Sequence, residues 1–196
     1  MPEGSYNLPA AACQTGAKLR KIPGTPCHGC YAFKFRYNFS NVKKALARRL
    51  ASLDHPQWVE GMTTLVKKKK HFRWHDSGDI QGVAHLKNIY EVCNNTPGTM
   101  HWLPTQERKF LPLNNDSITK NLLIRLSNAK NDTKPGLSWD HWSTVVTPRP
   151  FWKLGLWFNK LFRIKGKCFA SIQGNKCLSC RACWNRDVKN VTYPQH

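Results

Sequence analysis

His71-Phe72-Arg73-Trp74-His75-Asp76-Ser77-Gly78-Asp79 is the stretch whose reading decides the fold. Its first five residues alternate and are rich in aromatics, which is the pattern of a strand. Asp76-Ser77-Gly78-Asp79 ends the alternation with a turn that also suits the cap of a following helix. That helix begins near Ile80, turns Val83, Leu86, Ile89, Tyr90 and Cys93 inward, and stops near Asn94-Asn95-Thr96-Pro97-Gly98. Cys93, on the apolar face, reads as a small core residue. Toward the N-terminus, Val42, Ala45, Leu46, Leu50 and Leu53 share one helical face, with Ser40 or Asn41 as cap. A second helix runs from Trp58 to Val66 and ends in Lys67 to Lys70, where cations meet the negative end of the helix dipole. Toward the C-terminus, Thr99 to Leu103 forms a strand cut by Pro104-Thr105-Gln106-Glu107. Asn121 to Asn128 and Trp142 to Val146 form two more. Strands that alternate with helices and end in polar clusters predict an α/β fold, a parallel partial barrel of the TIM type over residues 1–165. In such a fold chemistry collects at the carboxyl ends of the strands.

Those ends carry the candidate site. His75, Asp76, Ser77 and Asp79 leave one strand, Thr105, Gln106 and Glu107 the next, and Arg125, Ser127 and Asn128 the third. If the strands are neighbours, these groups line one rim. His75, Asp76, Asp79 and Glu107 are the candidate catalytic residues, and Ser77, Gly78, Asp79, Arg125 and Ser127 the candidate cofactor contacts. The plain alternative is that Asp76 and Ser77 only cap a helix. There is no P-loop, no Gly-x-Gly-x-x-Gly and no His-Glu-x-x-His, so phosphate-loop, dinucleotide and zincin chemistry lack sequence support.

Seven of the eight cysteines fall into two groups. Cys13, Cys27 and Cys30 lie near the N-terminus, and Cys168, Cys177, Cys180 and Cys183 near the other end. Two thiolates two residues apart can turn back on one metal, and Cys-x-x-Cys-x-x-Cys with a fourth cysteine nearby supplies a full four-thiolate set for zinc or an iron–sulfur cluster. Disulfides are the alternative. Met1-Pro2-Glu3-Gly4 leads into no apolar run, which points to a reducing, cytoplasmic setting and so to metal. Residues 166–196 read as a cysteine-rich metal-binding tail packed on the same domain, its site structural because four thiolates leave no open position.

The chain has 196 residues, 40% of them hydrophobic, enough for a core, and no apolar stretch long enough to span a membrane. Its 31 Lys+Arg against 11 Asp+Glu leave a formal charge of +20. Ligating thiolates would offset a small part of it. The excess suits a polyanion, most simply nucleic acid, DNA or RNA, and leaves room for a protein partner and any oligomeric state. The stretch from Pro150 to Arg163 is aromatic, apolar and basic. It is expected to pack on the barrel with Lys153, Lys160 and Arg163 facing water, the alternatives being a membrane surface or stacked bases.

Five motifs together resemble one family. They are Cys13-Gln-Thr-Gly-Ala-Lys-Leu19, Gly24-Thr-Pro-Cys-His-Gly-Cys-Tyr-Ala32, Phe72-Arg-Trp-His-Asp-Ser-Gly-Asp-Ile80, His101-Trp-Leu-Pro-Thr-Gln-Glu107 and the Cys177 to Trp184 tail. The chain resembles the gene product 88-like proteins of phages and plasmids, which implies the cytoplasm of a host cell but no activity. The order of cysteine loop, helix, strand and acidic turn is also similar to the radical S-adenosylmethionine partial barrel. That likeness implies a [4Fe-4S] cluster held by Cys13, Cys27 and Cys30, with one iron open to S-adenosylmethionine and Ser77-Gly78-Asp79 beside the cofactor's amino group. The spacing departs from that superfamily's usual Cys-x-x-x-Cys-x-x-Cys, since thirteen residues separate Cys13 from Cys27. Seven cysteines without a paired-histidine motif fit one or two clusters, one with three protein ligands and one with four, with zinc as the alternative.

Overall fold

The computed structural model describes residues 3–114, 117–147 and 166–195. Alternation along β2 (His71–Trp74) turns Phe72 and Trp74 into the core and leaves His71 and Arg73 on the other face. Burying each such ring contributes about 1.5–3 kcal/mol relative to leaving it in water. β2 lies second in a six-stranded sheet, β1 (Ser5–Tyr6), β2, β3 (Met100–Thr105), β4 (Leu122–Ser127), β5 (Trp142–Val146) and β6 (Asn190–Pro194). The strands are hydrogen-bonded in sequence order and every pair is parallel. β1 and β6 are its two edges, so the sheet is open.

A parallel pair needs a crossover at every step. α2 (Ser40–Ala51) and α3 (Trp58–Val66) lie between β1 and β2, and α4 (Val83–Asn94) between β2 and β3. On α3, Trp58, Met62 and Val66 are buried at intervals of four, one stripe of a helix. On α4 the buried set is His85, Leu86, Ile89, Val92 and Cys93, whereas Val83, expected inward, is half exposed in the first turn. These residues meet Phe72, Trp74, Leu103, Leu122, Ile124 and Leu126 in the main core, Cys93 included.

The opposite face of the sheet is covered from the C-terminal segment. Trp184 donates its indole N–H to the Phe72 carbonyl at 3.0 Å and lies edge-on to Trp102, ring centres 5.2 Å apart. Asn190–Pro194, expected only as part of a cysteine-rich tail, is the sixth strand, in register with all of β5. The stretch from Pro150 to Arg163 lies outside the described residues.

Candidate functional site

β2 ends because His75 adopts φ +58°, a left-handed conformation unusual for a residue with a side chain. The chain then runs beside the residues that follow β1. Leu8 N–H donates to the Ser77 carbonyl at 2.9 Å, and the Ser77 hydroxyl donates to the Leu8 carbonyl at 2.9 Å. Gly78 sits at φ +78°, and a Cβ there would come within 2.6 Å of Leu8 Cβ and 2.8 Å of its carbonyl oxygen. The close approach that Gly78 permits is therefore to the chain's own Leu8. Gly82 precedes α4 with no side-chain cap, so neither Asp76 nor Ser77 caps that helix.

Asp79 is buried and turned toward the next strand. Its carboxylate accepts from the Thr105 hydroxyl at 2.6 Å, from Gln106 N–H at 2.9 Å and from Ile80 N–H at 2.8 Å. Burial pushes its pKa up to about 7 against those three bonds, and the nearby Glu107 carboxylate adds to the rise. Glu107 is fully buried and reaches back to the N-terminal segment. It accepts from Gln14 N–H at 3.0 Å, from Thr15 N–H at 2.7 Å and from the Thr15 hydroxyl at 2.7 Å. Gln14 and Thr15 open α1 (Gln14–Leu19), so Glu107 satisfies amide groups that a helix start leaves unbonded.

This tie brings the first cysteine group to the rim. Cys13 immediately precedes α1, and Cys27 and Cys30 sit in a turn closed by a bond from Cys30 N–H to the Cys27 carbonyl at 3.2 Å. Burial pushes Cys13 up to about 12, with Asp79, Cys27, Cys30 and Glu107 adding to the rise. Burial does the same to Cys27, with Cys30, Asp79 and Glu107 adding. The three thiols and two carboxylates thus share one neighbourhood. Gly16 marks the crease between two of the sulfurs, because a Cβ there would sit 3.6 Å from Cys27 Sγ and 3.7 Å from Cys13 Sγ. A donor set of soft sulfurs fits a thiolate-bound group. Among the described residues no three His, Cys, Asp or Glu side chains stand in a ready-made metal-binding arrangement.

The other expected site residues are placed differently. Asp76 accepts from Arg73 at 2.8 Å and from the Tyr37 hydroxyl at 2.6 Å, and its carbonyl accepts from the Tyr31 hydroxyl. His75 is buried against His85, ring centres 5.3 Å apart, and burial holds its pKa well below the ordinary imidazole value. Arg125 lies on the face covered by the tail and donates to the carbonyls of Ala182, Cys183 and Asn185 at 3.0–3.1 Å. Ser127 exchanges a hydrogen bond with Ser143 at 2.9 Å. Asp79 and Glu107 therefore join the N-terminal cysteines, while Asp76, His75, Arg125 and Ser127 have other neighbours. Sequence reasoning passed over Thr15, Tyr31, Tyr37 and Arg73. Only the Arg73–Asp76 spacing of three offered a local signal.

The second cysteine group also draws together. Cys180 N–H donates to the Cys177 carbonyl at 2.9 Å, and burial pushes the Cys168 thiol up, with neighbouring Cys177 and Cys180 adding to the rise. Cys183 pairs with the Tyr193 hydroxyl at 3.0 Å, and burial pushes it up to about 12 with Cys168 adding.

Searches of curated proteins and of solved structures for a match to this chain find none. The family model described as Gene product 88 matches residues 1–186, nearly the whole of a chain whose open parallel sheet carries a cysteine group at its carboxyl rim, and the chain belongs to that family.

Proposed function

We propose that this protein is an iron–sulfur protein that acts on or binds nucleic acid, built on a partial-barrel scaffold of the radical S-adenosylmethionine kind. One observation carries the reading: Cys13, Cys27 and Cys30 gather beside buried Asp79 and Glu107 at the carboxyl rim of an all-parallel sheet. Strand order that never reverses is the order of a barrel and offers no switch-point crevice, so the rim itself is where a ligand would lie. On this reading Cys13, Cys27 and Cys30 would hold a [4Fe-4S] cluster, which would supply electron-transfer chemistry. Three protein sulfurs would leave room beside it for a small polar ligand such as S-adenosylmethionine. Asp79 carries the negative charge nearest an incoming amine, and Glu107 holds the cysteine-bearing segment against β3. Cys168, Cys177, Cys180 and Cys183 form a closed, structural site. The net charge of +20 supplies attraction for a polyanion.

A second reading has its own support. Glu107 is spent on α1, Arg125 on the tail carbonyls, and the space at Gly78 on Leu8. Groups used in this way suit a non-catalytic module, stapled by zinc or iron–sulfur centres, that holds nucleic acid or protein. Anaerobic purification with iron, sulfide and zinc analysis separates the metals, and incubation with dithionite and S-adenosylmethionine separates the functions. A brown protein with about three to four irons per cluster that cleaves S-adenosylmethionine is the expected result. A colourless zinc protein that neither binds nor cleaves it would sink the first reading and leave the second.

A further inference from the structure

The three exposed aromatic side chains among the described residues fall within seven positions of one another, immediately after the N-terminal cysteines. Phe33 is 38% exposed, Phe35 82% and Phe39 58%. Water-facing phenylalanines so close together form an apolar surface of the kind that marks an interaction site. Local structure holds them outward. Two short 3-10 turns, Tyr31–Phe33 and Phe35–Asn38, meet at Lys34, and Phe35 takes φ +49° at the joint. A bulky side chain in that conformation is unfavourable and persists only where its surroundings impose it.

Here the tyrosines impose it. Tyr37 donates to the Asp76 carboxylate and Tyr31 to the Asp76 carbonyl, their rings edge-on with centres 5.9 Å apart. Asn38 ties back to the Phe33 carbonyl at 2.8 Å. The tyrosines of the segment are thus pinned to the end of β2 while its phenylalanines face out.

Charge identifies the partner. Lys34 and Arg36 alternate with the exposed rings, and both are exposed. The Arg20 guanidinium lies over the Phe33 ring, 4.2 Å from its centre. Residues 4–53 hold nine Lys+Arg (18, 20, 21, 34, 36, 43, 44, 48 and 49) and no Asp or Glu. Rings interleaved with cations, and no acid along the surrounding chain, fit a polyanion whose aromatic groups are free to stack. Duplex bases are already stacked on each other, whereas single-stranded bases are not.

We infer that Phe33, Phe35 and Phe39, with Lys34, Arg36 and Arg20, form a binding platform for single-stranded nucleic acid. The inference rests on nucleic acid being the partner and adds its form and its landing place. Bases stack on Phe35, the most exposed ring, while Lys34 and Arg36 neutralise the flanking phosphates. The segment follows Cys30 directly, so a bound strand would lie next to the cysteine rim.

The test uses the full chain and a fluorescent oligothymidylate longer than the ~4–16 nucleotides that one such surface covers, with a duplex of equal length beside it, each titrated at several salt concentrations. Phe35→Ala is expected to weaken single-strand binding about tenfold, within the range for one lost base stack, to leave duplex binding and the melting temperature unchanged, and to be rescued by Phe35→Trp. Lys34→Ala with Arg36→Ala should lower the salt slope by about 1.4, the loss of two phosphate contacts on a single strand. If the wild type binds oligothymidylate and Phe35→Ala binds it equally well, the platform is wrong while nucleic acid stands as the partner. If the wild type binds neither form, or binds anionic vesicles instead, the partner is wrong as well. A Phe35→Ala variant that melts earlier but binds normally marks a face covered by the protein's own chain, which also overturns the platform.

Discussion

In a protein of net charge +20 a carboxylate has many cations within reach, yet Asp79 takes three neutral donors. An asparagine there keeps one acceptor oxygen but turns an NH2 toward groups that themselves donate. Asp79→Asn is therefore expected to destabilise the fold by about 1–3 kcal/mol, the cost of leaving buried donors unpaired. A helix cap would have lost almost nothing by that change. Urea denaturation decides, and an unchanged midpoint would refute the hydrogen-bonding role. The buried histidines make a separate prediction. Burial holds His85 and His101 down to about 4, and their unfolded value is about 6.5. As pH falls through that window the unfolded chain takes up protons that the folded chain refuses. Each histidine should thus cost up to about 1.4 kcal/mol per pH unit as pH falls from about 6.5 toward 4, while Asp79, held up to about 7 by burial, is protonated first in the folded chain and acts in the opposite sense over the same window. The ring-proton NMR signals of both should stay unshifted at pH 6, and movement there would contradict their burial as neutral rings.

At the scale of elements, two long-range ties decide where the cysteine groups sit. Glu107 fastens α1 to the end of β3 across 92 residues, and Arg125 fastens Ala182–Trp184 to β4 across nearly 60. Glu107 takes the first amides of α1, and Arg125 gives the Cys183 carbonyl its donor, so each tie joins a buried charge to backbone groups that would otherwise lack a partner. Arg125→Met keeps much of the side chain's length but removes the donor of the Cys183 carbonyl, whereas the Ala182 and Asn185 carbonyls keep bonds from the Asn185 and Val188 N–H groups. A loss of about 1–3 kcal/mol is expected, the cost of leaving the buried Cys183 carbonyl unpaired, with the relieved desolvation of the guanidinium set against the other two lost bonds. Hydrogen exchange should rise over residues 182–194 and stay slow in α4. Equal protection in variant and wild type would show that the tail is held by Trp184 and β6 alone.

On the scale of the whole molecule, the excess positive charge works against compaction, so every cross-link between distant parts of the chain counts. The C-terminal cysteines are placed to make one. Cys180 is exposed, and as a plain surface thiol its replacement by serine should change stability by no more than about 0.5 kcal/mol. As a metal ligand it should cost the bound metal, lower the melting temperature of the entire chain and reduce solubility. β6 belongs to the same segment and covers the edge of β5, so release of the tail also exposes that strand. Melting curves with metal analysis on Cys180→Ser separate the two outcomes.

What the sequence determined by itself was local. Alternation marked β2, apolar spacing placed α3 at Trp58–Val66, and the cysteine spacing set out two groups before any contact was known. These are legible because strand and helix periods repeat within a few residues. The edge strands were not legible: Ser5–Tyr6 is too short to show a period, and Asn190–Pro194 mixes polar residues into both faces. Tertiary structure alone separated the polar rim residues. It sent Asp79 and Glu107 to the N-terminal cysteines, Asp76 to two tyrosines, and Arg125 to the tail. A buried charge goes to whichever unpaired donors or acceptors the packed chain brings within about 3 Å, and that depends on strand order rather than on neighbours in sequence. Phe33, Phe35 and Phe39, which carry no hydrogen-bonding group, face the solvent where Tyr31 and Tyr37 tie the segment to Asp76.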